Sequence, residues 1–131
     1  MPILDETDQL ILEYHYESVT LKEKSTGNIL FADDCYGEPS CGLIDKEQRW
    51  AMIAGESLML WTPGQTKHID HADVTWVHAM RVKTPAIVEF LVDPWSAVAA
   101  VWQINLSTFE LTKIRDFDAY KTREYVDEVV W

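Results

Sequence analysis

Hydrophobic and polar residues alternate along much of the chain with a period of two, the pattern of β-strands that bury one face. The first clear run covers residues 10–17, and a second short run covers residues 19–21. Gly27 and Asn28 tolerate positive φ, so we expect a turn there and a partner strand at residues 29–32. The first part of the chain therefore predicts a β-hairpin.

A meander of three strands is predicted next, at residues 41–44, 49–54 and 57–62, because polar turns separate these apolar runs. Trp50, Met52 and Ala54 share one face of the middle strand, and Met59 and Trp61 share one face of the next. The segment 63–73 is polar, and we expect it to form a long loop.

The second half repeats the pattern, with strands predicted at residues 74–82, 87–92, 97–106 and 109–114. A helix is the competitor for residues 97–106, but the alternating, β-branched content favours a strand. The tail from Asp118 predicts either a short helix or a final strand. About eight or nine short strands predict a mainly β fold of antiparallel sheets, arranged as a sandwich, a barrel or a propeller-like set.

Composition limits the classes of partner. With 131 residues, of which 47% are hydrophobic, the chain fits a single β-rich domain at residues 1–131 with a substantial core. The 22 acidic and 11 basic residues give a net charge of −11, which disfavours binding to nucleic acid or to an anionic membrane. Such a charge serves solubility or attracts a basic partner.

The sequence predicts a cytoplasmic protein. The N-terminal segment has neither a basic start nor a long apolar run, so we expect neither a secretory signal nor a membrane anchor. Two cysteines are too few for a secreted disulfide framework. The oligomeric state stays open.

The stretch 33–42 is the strongest candidate for a binding surface, because it gathers carboxylates, a tyrosine and turn formers between two predicted strands. Its candidate contacts are Asp33, Asp34, Tyr36 and Glu38, and a solvated turn is the alternative interpretation. Trp95 follows Pro94 in a predicted turn, so we expect it to be the most exposed tryptophan and a further contact.

Two groups of residues raise the question of catalysis. Cys35 and Cys41 have a spacing that fits neither a redox pair nor a common zinc site, and we expect reduced, buried thiols. A second group has the atom types for a divalent metal, although no accompanying helix motif supports the site: His68, Asp70, His71 and Asp73. We expect no catalytic residue and no cofactor.

The segment 34–44, followed by 50–56, resembles the small immunity proteins of bacterial polymorphic-toxin and contact-dependent inhibition systems. In that family a Tyr-Gly-Asp/Glu-Pro turn leads to Cys-Gly-hydrophobic and then to a Gly-Gly or Ala-Gly turn. The corresponding residues in this chain are Tyr36-Gly37-Glu38-Pro39, Cys41-Gly42-Leu43 and Ala54-Gly55. The resemblance implies an inhibitor that binds and neutralises a cognate toxin, and many such toxins are basic.

The sequence thus leaves three hypotheses. The first is an immunity protein that binds a basic protein toxin. The second is a small metal-assisted hydrolase that uses the His68 and His71 group, and the third is a structural or adaptor module with an uncovered sheet edge.

Overall fold

The computed structural model describes residues 2–35, 37–121, 123–126 and 128–131. Within these ranges the chain forms twelve β-strands in three four-stranded antiparallel sheets. The first sheet contains β1 (Ile3–Glu6), β2 (Leu10–His15), β3 (Ser18–Glu23) and β4 (Ile29–Asp34); the middle sheet contains β5 (Cys41–Ile44), β6 (Ala51–Ala54), β7 (Leu58–Thr62) and β8 (Gln65–Ile69); and the third sheet contains β9 (Val77–Thr84), β10 (Ile87–Val92), β11 (Ala100–Asn105) and β12 (Leu111–Asp116).

Each sheet is a simple meander, with its strands side by side in chain order. The first strands of the three sheets, β1, β5 and β9, are neighbours in space. Between β1 and β5 the Ile44 amide donates to Oδ2 of Asp5 at 2.7 Å, and between the middle and third sheets the Val77 amide donates to the Gly55 carbonyl at 2.8 Å. The sheets therefore stack in chain order around a line of inner strands.

The middle sheet is buried on both faces. Trp50, Met52 and Ala54 belong to the hydrophobic cluster shared with the third sheet. The intervening residues of β6, together with Met59 and Trp61, belong to the cluster shared with the first sheet. The alternating side chains of one short sheet thus supply two cores, as the sequence pattern of β6 and β7 predicts.

The tail covers the outer face of the third sheet. Phe117 and Trp131 pack with Leu91 and Val101 in a third, smaller hydrophobic cluster. The Arg81 guanidinium lies 3.9 Å from the centroid of the Trp131 ring and donates to the Trp131 carbonyl at 3.1 Å. These contacts hold the tail against the sheet.

The predicted mainly β class of antiparallel sheets is confirmed, and residues 97–106 contribute a strand rather than a helix. The prediction of a short C-terminal helix or a final strand is wrong, since the described residues after Asp116 form neither. Their aromatic residues pack on the sheet individually, so the tail lacks the regularly spaced apolar positions of an amphipathic helix.

The prediction of a long loop at residues 63–73 is also wrong, because β8 occupies Gln65–Ile69. This strand lies at the outer edge of the middle sheet, and Ile69 is its one buried residue. An edge strand with so little buried surface has the composition of a loop. Strand β1 was not predicted, and no helix among the described residues is long and apolar enough to cross a membrane.

Gly42 in β5 permits close packing of the first and middle sheets. A β-carbon added at this position would lie 2.7 Å from Cδ2 of Leu12 and 3.0 Å from Cβ of Leu4. Leu12 is fully buried, so it has little room to move. The glycine of the Cys-Gly-hydrophobic pattern therefore has a packing role.

We predict that Gly42→Ala lowers the free energy of unfolding by about 1–3 kcal/mol, the usual cost of overpacking a core. Urea unfolding followed by tryptophan fluorescence measures the change. Ala32→Val is the control, because it also enlarges a strand residue, at an exposed position of β4. Equal stability of the Gly42→Ala variant and the wild type would contradict the packing role.

Candidate functional site

Loops from all three sheets collect at one end of the stack. In an antiparallel meander successive connections lie at alternate ends, and contacts between the inner strands show that the three sheets are aligned in the same direction. One end therefore carries the connections at residues 16–17, 35–40, 55–57, 70–76 and 93–99. The opposite end carries residues 7–9, 24–28, 45–50, 63–64, 85–86 and 106–110.

The two ends differ in charge. The five connections of the first end contain neither lysine nor arginine, although they contain Glu17, Glu38, Glu56, Asp70, Asp73 and Asp93. Asp33 and Asp34 extend this set at the end of β4, and we call the whole surface the acidic end. At the opposite end Lys24, Lys46 and Arg49 accompany Asp8, Asp45, Glu47 and Glu110. Among the connections, the excess of negative charge therefore lies at one end.

Hydrogen bonds tie the connections of the acidic end to one another. The Ser40 hydroxyl donates to the carbonyls of Ala54, at 3.1 Å, and Val77. The Asp93 amide donates to the Trp76 carbonyl at 3.0 Å. Gly55 packs so closely on the neighbouring connection that an added β-carbon would lie 3.1 Å from the Glu38 carbonyl oxygen. The acidic end is therefore a set of braced connections.

The carboxylates predicted for partner binding lie on this surface. Oδ2 of Asp33 is 2.9 Å from Nε2 of His68, a contact that links the edge strands β4 and β8. Oδ1 of Asp34 accepts the Ser18 hydroxyl at 2.8 Å, and Glu38 is exposed. Tyr36, the fourth candidate of this stretch, lies outside the described residues.

The expectation that Trp95 is the most exposed tryptophan is wrong. Trp95 is half-buried, because Tyr125 of the tail stacks on it at 4.7 Å and the His78 ring meets it edge-on at 5.2 Å. Trp76, inside the strand predicted at residues 74–82, is the more exposed of the two at 59%. Its positive φ of 56° turns the chain just before β9 begins, so the alternation is interrupted there.

The two histidines suggested for a metal site contact different neighbours. His68 contacts Asp33, whereas Nδ1 of His71 accepts the Asp73 amide at 3.1 Å and its ring packs against Trp102 at 5.1 Å. Among the residues that the structure describes, no three His, Cys, Asp or Glu side chains form a group suited to a metal ion.

Both cysteines are free thiols, but they are of intermediate exposure rather than buried as the sequence predicts. Burial, reinforced by the charges of Asp33, Asp34 and Glu17, raises the pKa of Cys35 to about 11. Burial also raises the pKa of Cys41 to about 11, although a hydrogen bond with Ser40 acts in the other direction. At neutral pH both groups are therefore protonated, which makes them poor nucleophiles.

No family model and no curated protein matches this sequence. Among solved structures the chain is similar to the crystal structure of the WD40 β-propeller domain of Doa1, with a TM-score of 0.62 and 8% sequence identity over 86% of this chain. The chain spans 38% of the length of that structure. The fold is propeller-like, which is one of the three arrangements that the sequence predicts.

Two features of the surface could not be predicted from the sequence. The acidic end combines charges from connections that are far apart in the chain, so no local pattern identifies it. The exposure of Trp76 depends on a change of backbone conformation between the buried residues Val74 and Val77. The alternating sequence pattern of residues 74–82 gives no sign of that change in backbone conformation.

We predict that both thiols react slowly with a disulfide reagent such as DTNB in the native protein. At pH 8 a thiol with a pKa of about 11 is roughly 0.1% thiolate, compared with about a quarter for an ordinary cysteine. The rate of thionitrobenzoate release, compared with that of the urea-unfolded protein, measures this difference. Native thiols that react as fast as unfolded ones would contradict the raised pKa of both groups.

Proposed function

We propose that this protein is a binding protein that recognises a basic protein through its acidic end and has no catalytic activity of its own. More specifically, we propose that the partner is a cognate toxin, which the protein neutralises by occluding a functional surface. The observation that carries the proposal is the distribution of charge: five connections meet at one end, and none contains a lysine or arginine.

Electrostatics explains why such a surface suits a basic partner. Carboxylates grouped on one side create a local negative potential, which raises the rate of encounter with a positively charged protein and orients it. Asp34 and Glu38 are exposed, so they are available to accept hydrogen bonds from arginine. A surface of the same net charge spread evenly would lack this directional effect.

The bracing of the connections supports binding further. The hydroxyl of Ser40, the close approach of Gly55 to Glu38 and the backbone hydrogen bond of Trp76 brace the acidic end. A surface that is already ordered loses less conformational entropy when a partner binds. Connections held on a rigid β scaffold are a common location for binding residues.

The resemblance to immunity proteins supports the choice of a toxin as partner. The segment 34–44, which with 50–56 carries the resemblance, includes the connection between the first and middle sheets at the acidic end. The protonated thiols support a role without nucleophilic catalysis. Under this proposal, the segment that resembles immunity proteins is part of the charged binding surface.

The adjacent reading frame provides the test, because immunity proteins are generally encoded beside their toxins. We predict that its product arrests growth of a host strain when expressed alone, and that co-expression of this protein restores growth. The two proteins should co-purify, with weaker association at about 0.5 M than at about 0.1 M salt, since salt screens charge attraction. A neighbour that is harmless, or whose toxicity this protein leaves unchanged, would contradict the toxin proposal.

Charge reversal tests the surface itself. We predict that Asp34→Lys combined with Glu38→Lys weakens binding of the toxin by roughly tenfold or more, because both lysines oppose a basic partner. Titration calorimetry measures the change. Asp33 is left intact because it contacts His68.

The matched control places the same charge change at the opposite end. Asp8→Lys combined with Glu110→Lys alters two exposed residues there, and we expect an affinity within about threefold of the wild type at 0.1 M salt, where distant charges are largely screened. Equal weakening by both double variants would indicate a general effect of net charge and would exclude the acidic end as the specific site.

A further inference from the structure

Trp76 is an unusual residue to find exposed on a braced connection. Its side chain is 59% exposed, and its φ of 56° lies in the left-handed region that bulky residues rarely adopt. Bulky residues held in such conformations occur preferentially at functional sites. The exposed indole therefore requires an explanation other than core packing.

The backbone on both sides of Trp76 is fixed. Val74 and Val77 are each 1% exposed and pack into the core between the middle and third sheets. The Val77 amide donates to the Gly55 carbonyl at 2.8 Å, and the Trp76 carbonyl accepts the Asp93 amide at 3.0 Å. Because its neighbours are anchored in this way, the indole is presented to solvent from a rigid base.

Carboxylate residues adjoin this position. Asp93 is the hydrogen-bond partner of the Trp76 backbone, and Glu56 follows Gly55, the partner of Val77. Asp73 is exposed in the same connection as Trp76. Trp76 thus lies in a part of the surface that carries carboxylate residues, and the planar guanidinium of arginine can stack on an aromatic ring while donating to carboxylates.

We infer that Trp76, with Glu56 and Asp93, is the position at which the acidic end receives an arginine side chain of the partner. This inference rests on the proposed function for its biological setting, but it concerns the chemistry of one position and can be tested without the toxin. Tryptophan and arginine are the residue types most enriched at the energetic centres of protein interfaces.

Two peptides of equal charge, nona-arginine and nona-lysine, are the probes. For each protein variant, titration calorimetry gives the ratio of the two affinities, which cancels the general attraction of an acidic surface for cations. We expect Trp76→Leu to lower the preference for arginine by about two- to fivefold relative to the wild type, the range that an exposed cation–π contact supplies. Trp76→Phe, which keeps an aromatic ring, should retain part of the preference.

Tyr16→Leu is the matched control. Tyr16 is also an exposed aromatic residue of the acidic end, at 71% exposure, and it also has a positive φ, of 53°. We expect this variant to keep the arginine preference of the wild type, since the inference assigns the guanidinium to Trp76. An unchanged preference in Trp76→Leu, or an equal loss in Tyr16→Leu, would overturn the assignment.

A second measurement uses the wild-type protein and so does not depend on the folding of any Leu variant. The indole N–H resonance of Trp76, assigned by comparison with Trp76→Phe, should shift more on addition of nona-arginine than on addition of nona-lysine. Equal shifts would count against the inference. Arginine recognition without growth rescue would refute the toxin proposal alone, whereas growth rescue without arginine recognition would refute this inference alone.

Discussion

The burial of both faces of the middle sheet is the constraint on which the rest of the structure depends. Residues of β6 and β7 alternate between the two large hydrophobic clusters, so the middle sheet must have a neighbour on each side. Ala51 and Met52, consecutive in the chain, are both fully buried, one in each cluster. A sheet of this kind would expose one apolar face to water if either neighbour moved away.

The stacking of the sheets determines where the connections lie. Once three meanders are aligned on the middle sheet, every second connection is brought to the same end, whatever its sequence. Asp34 of the first sheet, Glu56 of the middle sheet and Asp93 of the third thereby contribute to one surface. The proposed function depends on the residues in those connections, while the apolar strands supply the frame.

Charge and rigidity act together at the acidic end. Like charges brought close together repel one another, and the surrounding contacts must oppose that repulsion. Hydrogen bonds from Ser40 and the close approach of Gly55 to the Glu38 carbonyl hold the connections in place. Such a surface would attract the basic partner that the proposed function requires.

Much of the fold could be predicted from the sequence, because alternation is a local signal that survives wherever one face of a strand is buried. Strands β5 and β10 were predicted with their observed bounds. Edge strand β8 escaped because it buries little, and the exposures of Trp76 and Trp95 were misjudged because a positive φ and a covering tail act beyond the local pattern. The candidate carboxylates at residues 33–38 were identified, but the full acidic end depends on the stacking of three sheets.

Amide hydrogen exchange, with and without the product of the adjacent reading frame, tests the binding role of the acidic end most directly. We predict that binding slows exchange in the described residues of the acidic-end connections, 16–17, 35, 37–40, 55–57, 70–76 and 93–99, and leaves the opposite end unchanged. Protection confined to residues 45–50, 85–86 and 106–110 would place the partner at the opposite end and contradict binding through the acidic end.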